Sequence, residues 1–279
     1  MSDGSAGDVA NDVTEDGVFH AVRDGYEAVY AALPQGETFS RIWRENAYRG
    51  EFPIEFAHVG FLTLTEAQRM LALLRVPEHG LLVDLACGAG GPGLWVTKQS
   101  GAELIGVDPA EPGLERARAR AETVGLADRA TFRRGTFERT GLPSREADAV
   151  MTIEAFQYAP DKRAALAEFA RILKRGGRAA IVCFEVDPAK VAGLPVLGVD
   201  PIIDYTPLLA AAGFSIEAYE ETPGWSERVY PTFNKLVEAG DALHAEMGER
   251  AAAGALAEAM LTVTMQPYPR RVLIVARKD

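Results

Sequence analysis

From Gly80 onward the chain alternates short apolar runs with amphipathic helices, and a turn dense in glycine joins the first run to its helix. LLVDLA (81–86) leads into Cys87-Gly88-Ala89-Gly90-Gly91-Pro92-Gly93 and the helical GLWVTKQS, and ELIGVD (103–108) follows. A run this short and apolar throughout reads as a strand buried on both faces. Strands separated by helices need crossover connections, which are right-handed and build a parallel sheet. Further strands are expected at ATFRRG (130–135), ADAVMTIEA (147–155), RAAIVCFE (178–185), SIEAYEE (215–221) and RRVLIVARK (270–278). In PGLERARARAETVGL, Leu114, Ala117, Ala121 and Val124 line one helix face; DKRAALAEFARILK (161–174) is expected to close on Gly176-Gly177 in a left-handed cap. The fold class is α/β, a doubly wound, mostly parallel sheet.

The flanks read differently. Residues 1–18 are small and polar with five carboxylates and no basic residue, so they bury too little apolar surface to offset chain entropy and read as a disordered acidic tail. Residues 19–76 read as a helical lid segment: AVRDGYEAVYAAL, an aromatic stretch from Trp43 to Phe61, and TLTEAQRMLALLRV, where Thr63 and Glu66 have capping-box spacing. Residues 77–279 form the sheet domain, with a helical cap inserted at about 225–262 before the last strand.

Composition limits the partners. No apolar run approaches the roughly 18 residues of a membrane span, and the acidic start is unlike a signal peptide, so a cytoplasmic protein is expected. Twenty-nine Lys and Arg against 40 Asp and Glu give a net charge of −11, the wrong sign for grasping nucleic acid over a broad face. Two cysteines and four scattered histidines make neither a disulfide framework nor a metal cluster, so no metal is expected.

Gly88, Gly90 and Gly93 have G-x-G-x-x-G spacing between a strand and a helix, where backbone can approach a ligand and a helix start offers unpaired N–H groups. Twenty residues beyond Gly88, Asp108 ends the next strand, where a carboxylate accepts from ribose hydroxyls. Asp84 stands four residues before Gly88, which suits a cationic ligand better than a pyrophosphate. The pattern leaves three readings: an enzyme using a sulfonium or amino-bearing nucleotide cofactor, an NAD-dependent oxidoreductase, and a cofactor-binding domain that has lost catalysis.

VDLACGAGGPG followed by IGVDPA resembles the first motif and acidic strand end of class I S-adenosylmethionine-dependent methyltransferases. The blocks ARARAETVGLADRATF and LPSREADAVMTIEAFQYAPDKRAALAEFARILKRGGRAAI continue the likeness in order. Trp43-Arg44-Glu45-Asn46 is similar to the N-terminal segment of the small-molecule subgroup, which contains sarcosine/dimethylglycine and natural-product enzymes. The resemblance implies a seven-stranded Rossmann-like sheet, S-adenosylmethionine as cofactor and transfer of its methyl group to oxygen or nitrogen of a secondary metabolite. It assigns Asp84, Gly88 and Gly90 to the methionine end of the cofactor, Asp108 to the ribose, Pro109, Thr136 and Phe137 to the adenine, and Glu154 to the transfer site, with Ala86 and Gly93 also among the cofactor contacts. A second copy of the chain, as a homodimer, is the one macromolecular partner expected.

In methyl transfer the cofactor supplies activation and the protein supplies alignment; a hydroxyl acceptor of high pKa also needs a base. Relatives that methylate oxygen often carry histidine after strand four, but here Gln157 and Tyr158 stand there. Glu154 and Glu185, at the ends of strands four and five, are the candidate substitutes, with Tyr158 as anchor. Trp43, His58, Gln157, Tyr158 and Trp225 are the candidate acceptor contacts, since aromatic side chains wall apolar pockets.

Overall fold

A computed structural model describes residues 15–192, 200–264 and 269–279. Seven strands form one sheet: β1 (Leu81–Leu85), β2 (Glu103–Asp108), β3 (Ala130–Arg134), β4 (Ala147–Ile153), β5 (Leu173–Val186), β6 (Phe214–Glu221) and β7 (Pro269–Lys278). Their order is β3-β2-β1-β4-β5-β7-β6. β7 runs antiparallel to both β5 and β6, and the other pairings are parallel. The expected mostly parallel doubly wound sheet is therefore present. Its strand order reverses between β1 and β4, and ligands bind such sheets in the crevice outside the carboxyl ends of those strands.

Helices α4 (Gly91–Ser100), α5 (Glu111–Thr123), α6 (Lys162–Ile172) and α7 (Thr206–Ala211) make the crossovers. On α5 the expected face is buried through Leu114, Ala117 and Ala121. The end of α6 differs from expectation. Its C-cap Leu173 is extended, already pairs with Ala147, and is fully buried. Gly176, at φ 78°, falls inside β5, in the irregularity that carries pairing from Leu173–Ala147 to Arg178–Ala149. The glycine therefore turns a bulge and not a helix end.

Before the sheet come α1 (Glu15–Ala32), α2 (Glu37–Ile42), a π-helical turn at Trp43–Ala47, a 3-10 turn at Ile54–Phe56 and α3 (Leu64–Leu74). The helix α1 takes in 15–18, which the sequence assigned to the tail; the rest of that tail lies outside the described residues. The Thr63–Glu66 capping box forms as expected, with Thr63 N–H donating to Glu66 and Glu66 N–H to Thr63 Oγ1. The cap consists of α8 (Ser226–Glu238), α9 (Gly240–Met247) and α10 (Glu249–Thr264). It packs on the N-terminal segment: Phe233 meets Trp43 at 6.0 Å and Phe61 at 5.4 Å between ring centroids, and Thr38 Oγ1 donates to Glu246 at 2.6 Å. The two segments, distant in sequence, thus make one cover because each has an aromatic or polar face that the other completes.

Candidate functional site

The turn after β1 is held in a shape that favours glycine. Gly88 and Gly90 have φ of 51° and 74°, and the Tyr30 hydroxyl from α1 fills the space a Cβ on Gly88 would need. Gly93 opens α4 beside Asp84; a Cβ there would lie 2.5 Å from Asp84 Oδ2. Asp108 Oδ2 accepts from Gly88 N–H and its Oδ1 from Ala110 N–H, each at 2.8 Å. One carboxylate therefore ties the glycine turn to the start of α5.

Above this turn lies a cleft of about 1060 Å³, partly open to solvent. Asp84, Ala86, Asp108, Pro109, Thr136, Phe137, Glu154, Tyr158 and His58 line it. Gly88, Gly90 and Gly93 shape the turn without lining the cleft; Gly91 lines it. Burial pushes the Asp108 carboxyl up to about 6, against the opposing hydrogen bonds from Ala110 and Gly88. Burial, and then the Asp108 charge, push Asp84 well above the usual carboxyl range. His58 stacks on Tyr48 at 4.9 Å, and burial lowers its pKa to about 4, so it is neutral at pH 7.

A second cavity adjoins the first beneath the cap. Trp43, Phe61, Phe184, Trp225 and Phe233 supply most of its aromatic wall, with Gln157, Lys162 and Glu258 among the polar groups. Tyr26, Val59, Gly60, Glu154 and Tyr158 line both cavities, so the boundary between them runs along these residues. Of the expected acceptor contacts, Trp43, Gln157, Tyr158 and Trp225 are in the second cavity, whereas His58 is in the first.

The two candidate bases are otherwise engaged. Glu154, at φ 54°, accepts from Phe61 N–H at 2.7 Å on one oxygen and from Arg271 Nε at 2.5 Å on the other. Arg271 is fully buried and reaches on to Glu66 at 3.0 Å and Thr222 at 2.7 Å, while Arg228 joins Glu66 at 2.7 Å. With both oxygens committed to this network, Glu154 is arranged to anchor the lid segment to β7. Glu185 lines neither cavity; it is 4% exposed, bound by the Tyr219 hydroxyl and by Arg270 at 2.7 Å. The sequence expectation that it reaches the transfer site is corrected on that geometry: its side chain points toward β6 and β7.

Residues 83–181 match the family described as a methyltransferase domain. The chain is 27% identical over 225 residues to 27-O-demethylrifamycin SV methyltransferase of Amycolatopsis mediterranei, covering 77% of this chain and 79% of the relative. It is 29% identical to Methyltransferase GfsG of Streptomyces halstedii over 67% of this chain and 70% of the relative. This domain and these relatives make the chain an S-adenosylmethionine-dependent methyltransferase. The fold of this methyltransferase is also that of the [4+2]-cyclase SpnF, with a TM-score of 0.67 at 20% identity over 76% of this chain and 80% of that one.

S-adenosylmethionine is its cofactor, and the first cleft fits it. Two buried carboxyls, each held above its usual range by burial, face a cleft whose guanidinium, Arg23, is already paired with Asp24. Such a site rewards a ligand bringing positive charge, as a sulfonium and an ammonium do, and repels a pyrophosphate. The apolar side chains of Pro109, Ala110, Phe137 and Ile153 in its lining suit a base ring.

Three residues of this site were not singled out from the methyltransferase sequence. Tyr26 lies in AVRDGYEAVYAAL, expected only as part of the helical lid segment. Glu258 lies in the alanine-rich ERAAAGALAEAM, within the stretch expected only as a helical cap. Arg271 lies in RRVLIVARK, expected only as a strand, and β7 sits between two neighbours. Tyr26 and Tyr158 each reach Glu258 at 3.1 Å.

Proposed function

We propose that this methyltransferase moves the methyl group of S-adenosylmethionine to oxygen or nitrogen of a largely apolar small metabolite, as in natural-product tailoring. The observation that carries the reading is the pair of adjoining cavities, one acidic beneath the glycine turn and one aromatic beneath the cap, with Tyr158 on both. One relative is the 27-O-demethylrifamycin SV methyltransferase of Amycolatopsis mediterranei.

In this reading Asp84, Ala86 and the glycine turn hold the methionine end, Asp108 the ribose hydroxyls, and Pro109, Thr136 and Phe137 the adenine. The cofactor brings an activated methyl group. Trp43, Gln157 and Trp225 seat the acceptor, Tyr158 orients it, and Glu154 keeps the lid segment closed through Phe61. His58 forms part of the cleft floor as a neutral ring. The helical segment 19–76 and the cap exclude water from the transfer point, so that alignment substitutes for further activation. The net charge of −11 favours a metabolite over nucleic acid, and the two free, buried cysteines accord with a cytoplasmic setting. Assembly as a homodimer belongs to the same reading and is checked by analytical ultracentrifugation.

The test is radiolabelled methyl transfer to a panel of hydroxyl- and amino-bearing aromatic metabolites that includes 27-O-demethylrifamycin SV. Label in at least one panel member, with stoichiometric S-adenosylhomocysteine, is expected. A protein that binds the cofactor and labels none of them, but methylates RNA or protein, contradicts the reading.

A further inference from the structure

The second cavity holds a carboxylate that the anchoring network does not use. Glu258 projects from α10 into the aromatic chamber, where Tyr26 Oη donates to Oε1 and Oε2, and Tyr158 Oη to Oε1, all at 3.1 Å. The two rings stand edge to face, 6.4 Å apart between centroids. A carboxylate set among aromatic side chains loses part of its hydration, a cost that packing alone does not repay. The phenols bind it from the boundary with the cofactor cleft, because Tyr26 and Tyr158 line both cavities.

We propose that Glu258 is the proton acceptor of methyl transfer to a neutral hydroxyl acceptor, a phenol or alcohol, seated against Tyr26 and Tyr158. The proposal rests on the two-cavity reading above. In the step, the acceptor oxygen forms a bond to the methyl carbon, the sulfur–methyl bond breaks with its electron pair going to sulfur, and the acceptor proton passes to Glu258. Tyr158 can carry that proton by accepting from the acceptor hydroxyl while donating to Oε1. The products are a methyl ether, a neutral thioether and a protonated carboxyl, so atoms and charge balance.

Burial raises the Glu258 carboxyl above its usual range, and the Glu154 charge adds to this against the two phenol hydrogen bonds, so it is a stronger base than a solvated glutamate. Burial first, and then the Glu258 charge, raise both phenols well above 10, so they keep their protons and relay rather than ionise. Lys162 and Asp200 face the same cavity from α6 and from the chain after β5. The geometry favours a hydroxyl over an amine. A hydroxyl that donates to a carboxylate retains lone pairs for attack, whereas an amine held by a buried carboxylate is favoured as ammonium and has none.

The experiment uses 7-hydroxycoumarin, its 7-amino counterpart and the more acidic 6,8-difluoro-7-hydroxycoumarin with the full-length enzyme. Glu258→Gln is expected to lower kcat on 7-hydroxycoumarin roughly 100-fold, the scale of lost general base catalysis. The S-adenosylmethionine Kd should stay within about twofold, Glu258 lying outside the cofactor cleft. The deficit should shrink to under about tenfold with the difluoro probe, which arrives already ionised; a purely structural role would impair both phenols alike. Glu258→Asp should recover part of the rate. As a readout independent of turnover, fluorescence titration of 7-hydroxycoumarin into the S-adenosylhomocysteine complex should show about tenfold weaker binding for Glu258→Gln. Should that variant not fold, Tyr158→Phe carries the test, with kcat lowered about tenfold. Equal deficits on both phenols, unchanged kcat in Glu258→Gln, methylation of the amine in place of the hydroxyl, or no binding of either hydroxyl probe to the wild-type complex would overturn the proposal. A wild-type protein that does not bind S-adenosylmethionine removes the reading beneath it as well.

Discussion

Replacing Asp108 with Asn separates holding the cofactor from holding the fold. The carboxylate accepts on both sides at 2.8 Å, from Gly88 and from Ala110, and Asn keeps one oxygen while turning an amide N–H₂ toward the other donor. One buried backbone N–H then lacks an acceptor, at a cost of about 1–3 kcal/mol. Against this, a carboxyl at about 6 in the fold and 3.8 ordinarily is disfavoured by burial; at 1.36 kcal/mol per pKa step, neutralising it returns about 3 kcal/mol at pH 7. The two effects nearly cancel, so Asp108→Asn should leave the ligand-free Tm within a few degrees. Cofactor binding has no such compensation. Two ribose hydroxyls lose a charged acceptor worth about 1.5–3 kcal/mol each, raising the Kd of S-adenosylmethionine by roughly 10² to 10⁴. Titration calorimetry and thermal unfolding on one preparation read both. A Kd within threefold of wild type, beside an unchanged Tm, would refute the role assigned to Asp108. The pH dependence follows in sign: binding needs the ionised carboxylate, so affinity should fall as pH drops below about 6. For this group alone, the ligand-free fold should gain stability over the same descent, because protonation relieves the burial of its charge.

Further outcomes follow from the network and the turn. Arg271→Met should cost about 3–5 kcal/mol in urea unfolding, because Glu154 and Glu66 lose the buried guanidinium they share; a loss under about 1 kcal/mol would contradict the description of Arg271 as the tie between lid and β7. Gly93→Ala sets a methyl 2.5 Å from Asp84 Oδ2, so despite the better helix former it should lower stability by about 1–3 kcal/mol and weaken cofactor binding; a rise in Tm would count against the close approach. Glu185→Gln should lower stability by about 1 kcal/mol, its Arg270 partner being half exposed, and change kcat by less than twofold; a hundredfold loss of kcat would restore Glu185 as a base.

The sheet was readable in the chain because β1, β2, β4, β5 and β7 each carry a short apolar run, and Asp84, Asp108 and the glycines lie at fixed offsets from strand ends. The end of α6 was misread because glycine marks both a left-handed cap and a bulge, and only the pairing of Leu173 with Ala147 decides between them. The acceptor side was hardly legible. Glu258 and Tyr26 are 232 residues apart, and a glutamate in an alanine-rich helix looks like a solvated face until α10 is packed against α1. Glu66 shows the same limit in one side chain. Its capping role follows from the three-residue spacing, whereas its bonds to Arg228 and Arg271 depend on chain returns of 162 and 205 residues.

Isothermal titration of the ligand-free protein with S-adenosylmethionine, S-adenosylhomocysteine and NAD, in parallel at neutral pH, tests the central claim most directly. The two sulfur compounds should bind at micromolar Kd, and S-adenosylmethionine should release protons as its positive charge draws Asp84 into the ionised form. Binding of NAD without either sulfur compound would contradict the cofactor assignment and the acidic-cleft argument together.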